Sequence, residues 1–477
     1  MSSKSDFVSE EAPKERKEPG AVKPPHISED LEVSPATQTH LITRRKFLHK
    51  AAFLSGTGLI ILSNSRSVRS FQANEKLNIA CIGVGGRGAA DVNGVAGENI
   101  IALCDVDHNH SAKTFERFPN AKRYKDFRKM LDKIHNEIDA VVIGTPDHTH
   151  APAGVMAMKL GKHCYCEKPL THTVYEARMM ANIAKENKLV TQMGTQIHAE
   201  NNYRRTVELV QSGAIGTVRE VHVWMAANFN GPPKPTDFSQ PNAPSDHPAV
   251  PDSLDWDLWL GPASYRPYNK AYAPFGWRYW WNFANGQLGD FFCHYCDLAF
   301  WALKLRHPLT VEAEGPVHPD SAAKWTIARQ EYRAHGNLLG VNLTWYNGGP
   351  YPAFMEEKKI PKWGSAVLFI GSKGMLISDY NKHQLLPEDK FVDFKRPDPF
   401  IPDSIGHHRE WVEACKTGGP TTCNFDYSGA LTEAALLCNV ALRTGKKLNW
   451  DAGKLKATNC AEADKLIKRQ YRQGWTL

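Results

Sequence analysis

Apolar residues between positions 77 and 193 form short, nearly continuous runs, separated by stretches with helical spacing. Runs of this kind, without polar alternation, are typical of parallel strands that are buried on both faces. They predict strands at 77–83, 100–104, 138–144, 163–166 and 189–193, with helices near 109–118, 126–134, 153–160 and 173–187. Strands that alternate with helices predict an α/β fold with a doubly wound parallel sheet.

The pattern changes beyond residue 196. Residues 218–225 and 338–345 alternate between apolar and polar, as strands with one buried face do. Further predicted elements are a hairpin of 366–371 with 375–378, an apolar helix from about 289 to 303, and helices at 427–443 and 461–471. The second half of the chain therefore predicts a separate domain.

The first 73 residues are interpreted as a disordered extension followed by a targeting signal. Residues 1–40 are rich in charge, proline and serine without an apolar period, so we expect them to be disordered. Arg44 and Arg45 are followed by Phe-Leu and then by an apolar run over 51–62, which resembles a twin-arginine export signal. We expect export to the periplasm, with imperfect cleavage sites at 68–70 and 71–73. The alternative is a basic, amphipathic start that stays in the cytoplasm.

These patterns divide the chain into five parts. They are an extension at 1–40, an export signal at 41–73, a domain with the parallel sheet at 77–195, a second domain at 196–450, and a C-terminal helix and tail at 451–477.

Composition narrows the possible functions. The net charge is only +7, from 58 Lys and Arg against 51 Asp and Glu, which is too weak a field to indicate a nucleic-acid partner. The chain lacks a run of apolar residues long enough for a membrane span. Of the ten cysteines, Cys293 and Cys296 are spaced like half a zinc site, but no second pair follows, so we expect no metal.

A glycine-rich turn follows the first predicted strand. The G-x-G-x-x-G pattern is formed by Gly83, Gly85 and Gly88, with Gly86 and Arg87 between them. Gly83 allows a tight turn, Gly85 leaves room for a pyrophosphate, and Gly88 lets helix and strand pack closely. Asp105 ends the second strand, where a carboxylate accepts hydrogen bonds from ribose hydroxyls and repels a 2′-phosphate. The sequence therefore predicts NAD as the cofactor, in preference to NADP.

Two further motifs follow predicted strands. One is Thr145-Pro146-Asp147-His148-Thr149-His150, and the other is Glu167-Lys168-Pro169. Together with the glycine turn, they resemble the Gfo/Idh/MocA oxidoreductases over about 77–450. The resemblance implies a Rossmann domain, followed by an α/β domain with a large, open, mainly antiparallel sheet that commonly mediates dimers or tetramers. It also implies cofactor contacts from Thr145, His150 and Glu167.

Oxidation of an alcohol needs positive charge near the developing oxyanion and a group that takes the hydroxyl proton. Lys168 is the candidate for the charge, and its direction is restricted by Pro169. Asp290 and His294 are four residues apart and so share a helical face. The resemblance makes His294 the general base, and Asp290 either the residue that orients His294 or one that binds a neighbouring hydroxyl. On their own, Asp290 could be a helix N-cap and His294 a core histidine.

Seven of the thirteen tryptophans lie between 224 and 301, beside a long loop at about 229–252. Trp280 and Trp281, next to Arg278, are candidates for contact with a sugar, and the alternative is that they fill the core or an interface. His407 and His408 are interpreted as surface residues near a helix start, and the alternative is that a histidine of the second domain reaches the active site.

These observations predict a dehydrogenase that acts on a secondary hydroxyl of a sugar, glycoside or cyclitol. We expect its nicotinamide cofactor to be held tightly, since twin-arginine export moves folded proteins. An NAD-dependent glycosidase is the second hypothesis, although the histidine-rich motif of that branch is not seen at Gly289-Asp290. A redox-inactive carbohydrate-binding protein is the third.

Overall fold

The structure is a computed structural model that describes residues 75–225, 242–334 and 339–477. The predicted extension, the export signal and most of the 229–252 loop lie outside these residues. Within the described part of the chain, the helices are too short or too polar to cross a membrane.

The first domain is built on a six-stranded parallel sheet in the order β3-β2-β1-β4-β5-β6. Its strands are β1 (Asn78–Ile82), β2 (Asn99–Cys104), β3 (Lys122–Tyr124), β4 (Ala140–Ile143), β5 (His163–Cys166) and β6 (Thr191–Met193). Its helices are α1 (Gly86–Gly94), α2 (Ala112–Arg117), α3 (Phe127–Ile134), α4 (Asp147–Lys159) and α5 (Val174–Glu186). The predicted doubly wound sheet is confirmed.

The second domain contains a nine-stranded sheet in the order β13-β12-β11-β7-β10-β9-β8-β14-β15. The pairing of β7 with β10 is parallel and the others are antiparallel, which confirms the mainly antiparallel sheet. Its strands are β7 (Val218–Met225), β8 (Thr310–Glu314), β9 (Thr326–Tyr332), β10 (Val341–Asn347), β11 (Ser365–Gly371), β12 (Met375–Ser378), β13 (His383–Leu386), β14 (Leu448–Asp451) and β15 (Lys456–Ala457).

The helices of the second half pack on both sheets. They are α6 (Asn201–Gln211), α7 (Trp256–Leu260), α8 (Gly286–Leu303), α9 (His407–Thr417), α10 (Phe425–Thr444) and α11 (Asp464–Ile467). Helix α9 returns to the first domain, where the fully buried Trp411 joins the core formed by Leu77, Cys81 and Tyr165. The hydrophobic core against the Rossmann sheet is therefore completed by a helix that lies more than 200 residues further along the chain.

Several predicted elements need correction. Strand β3 was not predicted, because its sequence Lys-Arg-Tyr is polar and only three residues long. Helix α4 begins at Asp147, so the Thr-Pro-x-x-x-His motif forms its first turns. The predicted helix at 461–471 is wrong in extent: a 3₁₀ turn at Ala461–Ala463 and the short α11 take its place.

An aromatic segment, residues 252–283, connects β7 to α8 and packs against the first domain. Asp255 N–H donates to the Val106 carbonyl (2.9 Å), and His108 N–H donates to the Ser253 carbonyl (3.1 Å). The segment has a small hydrophobic core of its own, in which the rings of Trp256 and Trp259 stack with centroids 4.7 Å apart. This segment therefore covers the carboxyl end of β2.

Phe292 tests whether α8 is held by its packing on the second sheet. Its side chain is fully buried and lies against Trp345, with ring centroids 5.6 Å apart. We expect Phe292→Ala to lower the free energy of unfolding by about 3–5 kcal/mol, from lost burial and the cavity left behind.

The measurement is chemical denaturation of the variant beside Phe400→Ala, which removes an exposed ring and should stay within about 0.5 kcal/mol of the parent protein. Equal stability of the two variants would contradict this account of the α8 packing.

Candidate functional site

A cavity of about 400 Å³ lies along the carboxyl ends of the parallel strands, where ligands bind in open α/β sheets. Its wall is formed by the glycine turn, by residues that follow β2, β3, β4 and β5, and by parts of the aromatic segment. The predicted site residues in the wall are Gly83, Gly85, Gly86, Arg87, Asp105, Thr145, Glu167, Lys168, Arg278 and Asp290. The structure thus gathers most of the predicted site into one cavity.

The glycine turn has the geometry of a pyrophosphate cradle. Gly83 has a φ of 73° and Gly86 a φ of 52°, in the region that favours glycine. A Cβ at Gly88 would overlap the Gly83 carbonyl oxygen, so Gly88 lies beneath the turn rather than in the cavity wall. Helix α1 begins at Gly86 without a side-chain cap, which leaves N–H donors and the helix dipole for an anion. These residues fit a dinucleotide.

Asp105 braces this turn. Its Oδ2 accepts hydrogen bonds from the N–H groups of Val84 (2.7 Å) and Gly85 (3.2 Å), and its Oδ1 accepts one from Asp107 N–H (2.9 Å). Burial raises the pKa of Asp105, although the hydrogen bonds from Asp107 and Val84 oppose the rise. Sequence reasoning gave Asp105 only a ribose contact, and the structure adds that the same carboxylate fixes the phosphate loop.

Lys168 and Asp290 meet across the domain boundary as an ion pair between their Nζ and Oδ1 atoms. Their side chains are 14% and 11% exposed, and Arg278 Nε lies 3.6 Å from the other oxygen of Asp290. Burial lowers the pKa of Lys168, and the nearby Arg278 cation lowers it further. Because α8 begins at Gly286, Asp290 lies inside the helix, so the N-cap interpretation is wrong.

His294 lies one turn beyond Asp290 on α8. Burial, followed by repulsion from Lys168, lowers its pKa to about 3, so the ring is neutral at physiological pH. Its Nδ1 atom is buried without a hydrogen-bond partner among the described residues. Burial is the larger of these two causes.

Glu167 is the centre of a polar network on the other side of Lys168. Its Oε1 accepts hydrogen bonds from Arg87 Nε (3.0 Å) and Gln196 Nε2 (2.7 Å). Burial raises the pKa of Glu167, but the Arg87 and Lys168 cations outweigh it and hold the pKa below its usual value. Arg87 also bonds Asp91 (2.9 Å), so one guanidinium joins two buried carboxylates.

Two histidines at the start of α9, His407 and His408, lie beside this network. His408 Nε2 lies 3.1 Å from Asp91 Oδ1 and the ring stacks on Tyr165, while His407 Nε2 lies 2.8 Å from the Met193 carbonyl. His407 is 5% exposed, so the surface interpretation was wrong for it. Two adjacent histidines at a helix start give no indication, from sequence alone, of a contact with residues so far away along the chain.

Five predicted site residues do not line the cavity: Gly88, which lies beneath the turn, His294, His150, Trp280 and Trp281. His150 is buried, with Nδ1 2.9 Å from the Pro169 carbonyl and Nε2 2.7 Å from the Thr145 carbonyl, so it ties together the two loops that follow β4 and β5. Trp280 lies in the core of the aromatic segment and donates to the Ala271 carbonyl. Trp281 lines a separate cavity of about 200 Å³. This placement does not support sugar contact by either tryptophan.

Asp147 was not predicted as a site residue. Burial raises its pKa to about 6, against the opposing charges of His150 and Lys168, and Asn285 Nδ2 lies 3.4 Å from its Oδ2. Its position directly after Thr145-Pro146 at a strand end was the available signal.

One group of possible metal ligands exists outside the cavity. His198, Asp297 and Cys423 are buried together, but His198 Nδ1 lies 2.9 Å from Asp297 Oδ2, and Tyr427 donates to the same carboxylate. The Cys293 and Cys296 thiols are free and buried. These contacts account for the group without an ion, and the absence of a metal stays a prediction.

Two models of one protein family match the chain. The Gfo/Idh/MocA model described as an oxidoreductase family with an NAD-binding Rossmann fold matches residues 77–195. The model described as the C-terminal alpha/beta domain of the oxidoreductase family matches residues 200–344.

Individual relatives match over shorter stretches. An inositol 2-dehydrogenase of Rubrobacter xylanophilus is 31% identical over 150 residues, 30% of this chain and 42% of that protein. A glycosyl hydrolase family 109 protein of Shewanella pealeana is 27% identical over 201 residues, 37% of this chain and 44% of that protein. The chain therefore spans less than half the length of these curated relatives.

A solved structure shows the same fold. The WlbA dehydrogenase of Bordetella pertussis, in complex with NADH and UDP-GlcNAcA, superimposes with a TM-score of 0.57 at 16% identity. The superposition covers 79% of this chain and 99% of that one.

The depressed pKa of His294 predicts a pH dependence of stability. An unfolded histidine titrates near pH 6.5, whereas His294 in the fold binds a proton only near pH 3. Its contribution is therefore fully present above pH 6.5 and is lost as the pH falls towards 3. We expect His294→Gln to reduce the slope of unfolding free energy against pH by about 1.4 kcal/mol per pH unit between pH 4.5 and 6.

The slope is measured by urea denaturation across that range, with exposed His247→Gln as the control that should leave it unchanged. Identical slopes for the parent protein and His294→Gln would rule out the buried, neutral histidine.

Proposed function

The chain belongs to the Gfo/Idh/MocA oxidoreductase family, and we propose that it is an NAD-dependent dehydrogenase for a secondary hydroxyl of a sugar, glycoside or cyclitol. The observation that carries this proposal is the Lys168–Asp290 ion pair in the wall of the cavity that contains the glycine turn. It places a buried cation and a carboxylate beside the cradle for a dinucleotide.

We propose NAD rather than NADP, on the carboxylates that follow β2. Asp105 and Asp107 both lie in the cavity wall, whereas Asp126, after β3, is paired with Arg128. Negative charge at this end would repel the 2′-phosphate of NADP, whereas ribose hydroxyls can donate to carboxylate oxygens. A bound nicotinamide supplies the group that accepts or donates the hydride.

Residues around Lys168 would take up the hydroxyl proton and stabilise the negative charge that develops on the substrate oxygen. In the oxidative direction the substrate carbon loses a hydride and its hydroxyl loses a proton, which leaves a carbonyl. Lys168 would hold the reacting oxygen and stabilise its developing negative charge. His294 would accept the proton: its ring is neutral at physiological pH, and it lies on α8 one turn beyond Asp290, behind the residues that line the cavity. Asp290 would orient Lys168 and accept from a neighbouring hydroxyl.

The substrate end of the cavity suits a hydroxylated ring. Arg278 lies over the rings of Phe275 (4.3 Å) and Trp277 (4.2 Å) and approaches Asp290. Aromatic faces bind the apolar face of a sugar, and the charged groups bind its hydroxyls. The names of the inositol 2-dehydrogenase and levoglucosan dehydrogenase relatives support a polyol or sugar substrate.

A glycosidase that oxidises its sugar transiently is the second candidate, and the family 109 relative is the observation that favours it. It would use the same cradle and the same lysine. It differs in that a glycosidic bond is broken and no net reduced cofactor accumulates. A redox-inactive carbohydrate-binding protein would show neither reaction.

Export is also proposed, from the twin arginine and the apolar run that follows. An exported enzyme has no free nicotinamide pool to draw on, so its cofactor would stay bound and be recycled between a donor and an acceptor. Assembly as a dimer or tetramer is proposed on the family resemblance alone.

The function predicts a substrate-dependent absorbance of reduced nicotinamide. The protein, purified and loaded with NAD, is titrated with a panel of sugars, cyclitols and aryl glycosides. We expect one class of substrate to reduce the cofactor, and Lys168→Ala and His294→Ala to slow that reduction by about 100- to 10,000-fold.

The matched controls are Lys185→Ala and His247→Ala, which change exposed residues of the same types. Release of the aryl group without net reduction would establish the glycosidase instead. Binding of sugar and NAD with neither reaction would leave only a binding protein.

The export proposal has its own test. Replacing Arg44 and Arg45 together by lysine should retain the chain in the cytoplasm of a bacterial host, as measured by cell fractionation. Lys4→Gln, in the preceding extension, is the control. A parent chain that is itself retained in the cytoplasm would contradict export.

A further inference from the structure

The far end of the dinucleotide cavity is closed by the C-terminus of the chain. Trp475 lies in the cavity wall together with Phe127 and Leu258, and it is 9% exposed. No motif in the sequence indicates this contact, since Trp475 lies 370 residues from Asp105.

Sheet order shows which part of a dinucleotide this wall would meet. The strands that supply the site run β3-β2-β1-β4-β5, so their carboxyl ends place Phe127, Asp105, the glycine turn and Lys168 in that spatial order. A dinucleotide with its pyrophosphate on the glycine turn and its nicotinamide near Lys168 extends its adenosine past Asp105. The adenine would then lie at β3, beside Phe127 and Trp475.

The tail is held in place by specific contacts. Arg472 donates from Nε to the Gly261 carbonyl (3.0 Å) and from Nη2 to the Asp257 carbonyl (2.8 Å), and its Nη1 contacts the Asp257 carboxylate. These bonds fasten the tail to the aromatic segment at the end of α7. The tail therefore bridges the aromatic segment and the first domain.

Trp475 is fixed from the other side by α3. The Arg128 guanidinium lies 4.0 Å from the centroid of the indole and is itself held by Asp126 (Nη2–Oδ2, 2.8 Å). Phe127 contacts the same ring with centroids 5.9 Å apart. Arg128 and Phe127 thus fix the orientation of the indole, and the part of it that lines the cavity offers a planar base a rigid aromatic contact at low entropic cost.

We propose that Trp475 and the tail at 472–477 form the adenine wall of the dinucleotide site and retain the cofactor. This inference rests on the proposed function, because it takes the bound group to be NAD. Release of the dinucleotide then requires the tail to leave α3, which provides the slow exchange that an exported, self-contained enzyme needs.

The test measures binding rather than turnover. Dissociation of NADH from the full-length protein is followed by its fluorescence after a chase with excess NAD, for the parent, Trp475→Ala and Trp475→Phe. We expect about ten- to a hundredfold faster release for Trp475→Ala, the loss measured when a stacked base loses its aromatic partner, and a smaller effect for Trp475→Phe. Arg472→Gln, which frees the tail but keeps the indole, should also speed release.

ADP-ribose and nicotinamide mononucleotide serve as half-ligands to locate the effect. Trp475→Ala should weaken ADP-ribose and leave nicotinamide mononucleotide unchanged within about twofold. Phe400→Ala, which removes an exposed ring outside both the cavity wall and the tail, is the control and should match the parent.

The possible outcomes distinguish a failure of this inference from a failure of the proposed function. Unchanged NADH release in every tail variant, or equal weakening of both half-ligands, would overturn the adenine wall and leave the dehydrogenase standing. A parent protein that binds neither NADH nor ADP-ribose would overturn both.

Discussion

The ion pair between Lys168 and Asp290 is the interaction on which the site depends. It joins the loop after β5 in one domain to helix α8 in the other, and both side chains are largely removed from water. Removing one partner of a buried pair costs about 3–5 kcal/mol, since the other charge loses its main partner. The pair therefore links α8, the helix that carries His294, to the loop after β5. In the proposed mechanism, it also keeps a cation where an alkoxide would form.

The charges around that pair are distributed along the sheet. Towards β1, the Arg87 guanidinium holds two buried carboxylates, Glu167 and Asp91, so this part of the network is fixed without a ligand. Towards α4, Asp147 has a raised pKa and lies near both Lys168 and Arg278. Charged groups of the protein therefore flank Lys168 on both sides.

The features visible in the sequence are those with a fixed spacing along the chain. The glycine turn, the carboxylate at the end of β2 and the lysine after β5 each follow a buried strand, so the parallel sheet alone brings them to one edge. Asp290 and His294 are four residues apart on one helix, and their shared face follows from helix geometry. By contrast, His408 reaches Asp91 across 317 residues, and Trp475 reaches Phe127 across even more. Trp280 lies in the core of the aromatic segment and not in the cavity wall because of how that segment packs. No local sequence pattern distinguishes a core tryptophan from one that lines a cavity.

The central claim is that this site moves a hydride between a substrate carbon and a nicotinamide held in the glycine-turn cavity. The most direct measurement is the mass of the dinucleotide recovered from NAD-loaded protein after incubation with a sugar or cyclitol deuterated on its ring carbons. The account predicts reduced dinucleotide that carries one deuterium, and none from the Lys168→Ala variant. Recovery of unlabelled, unreduced NAD with every substrate that the protein binds would contradict it.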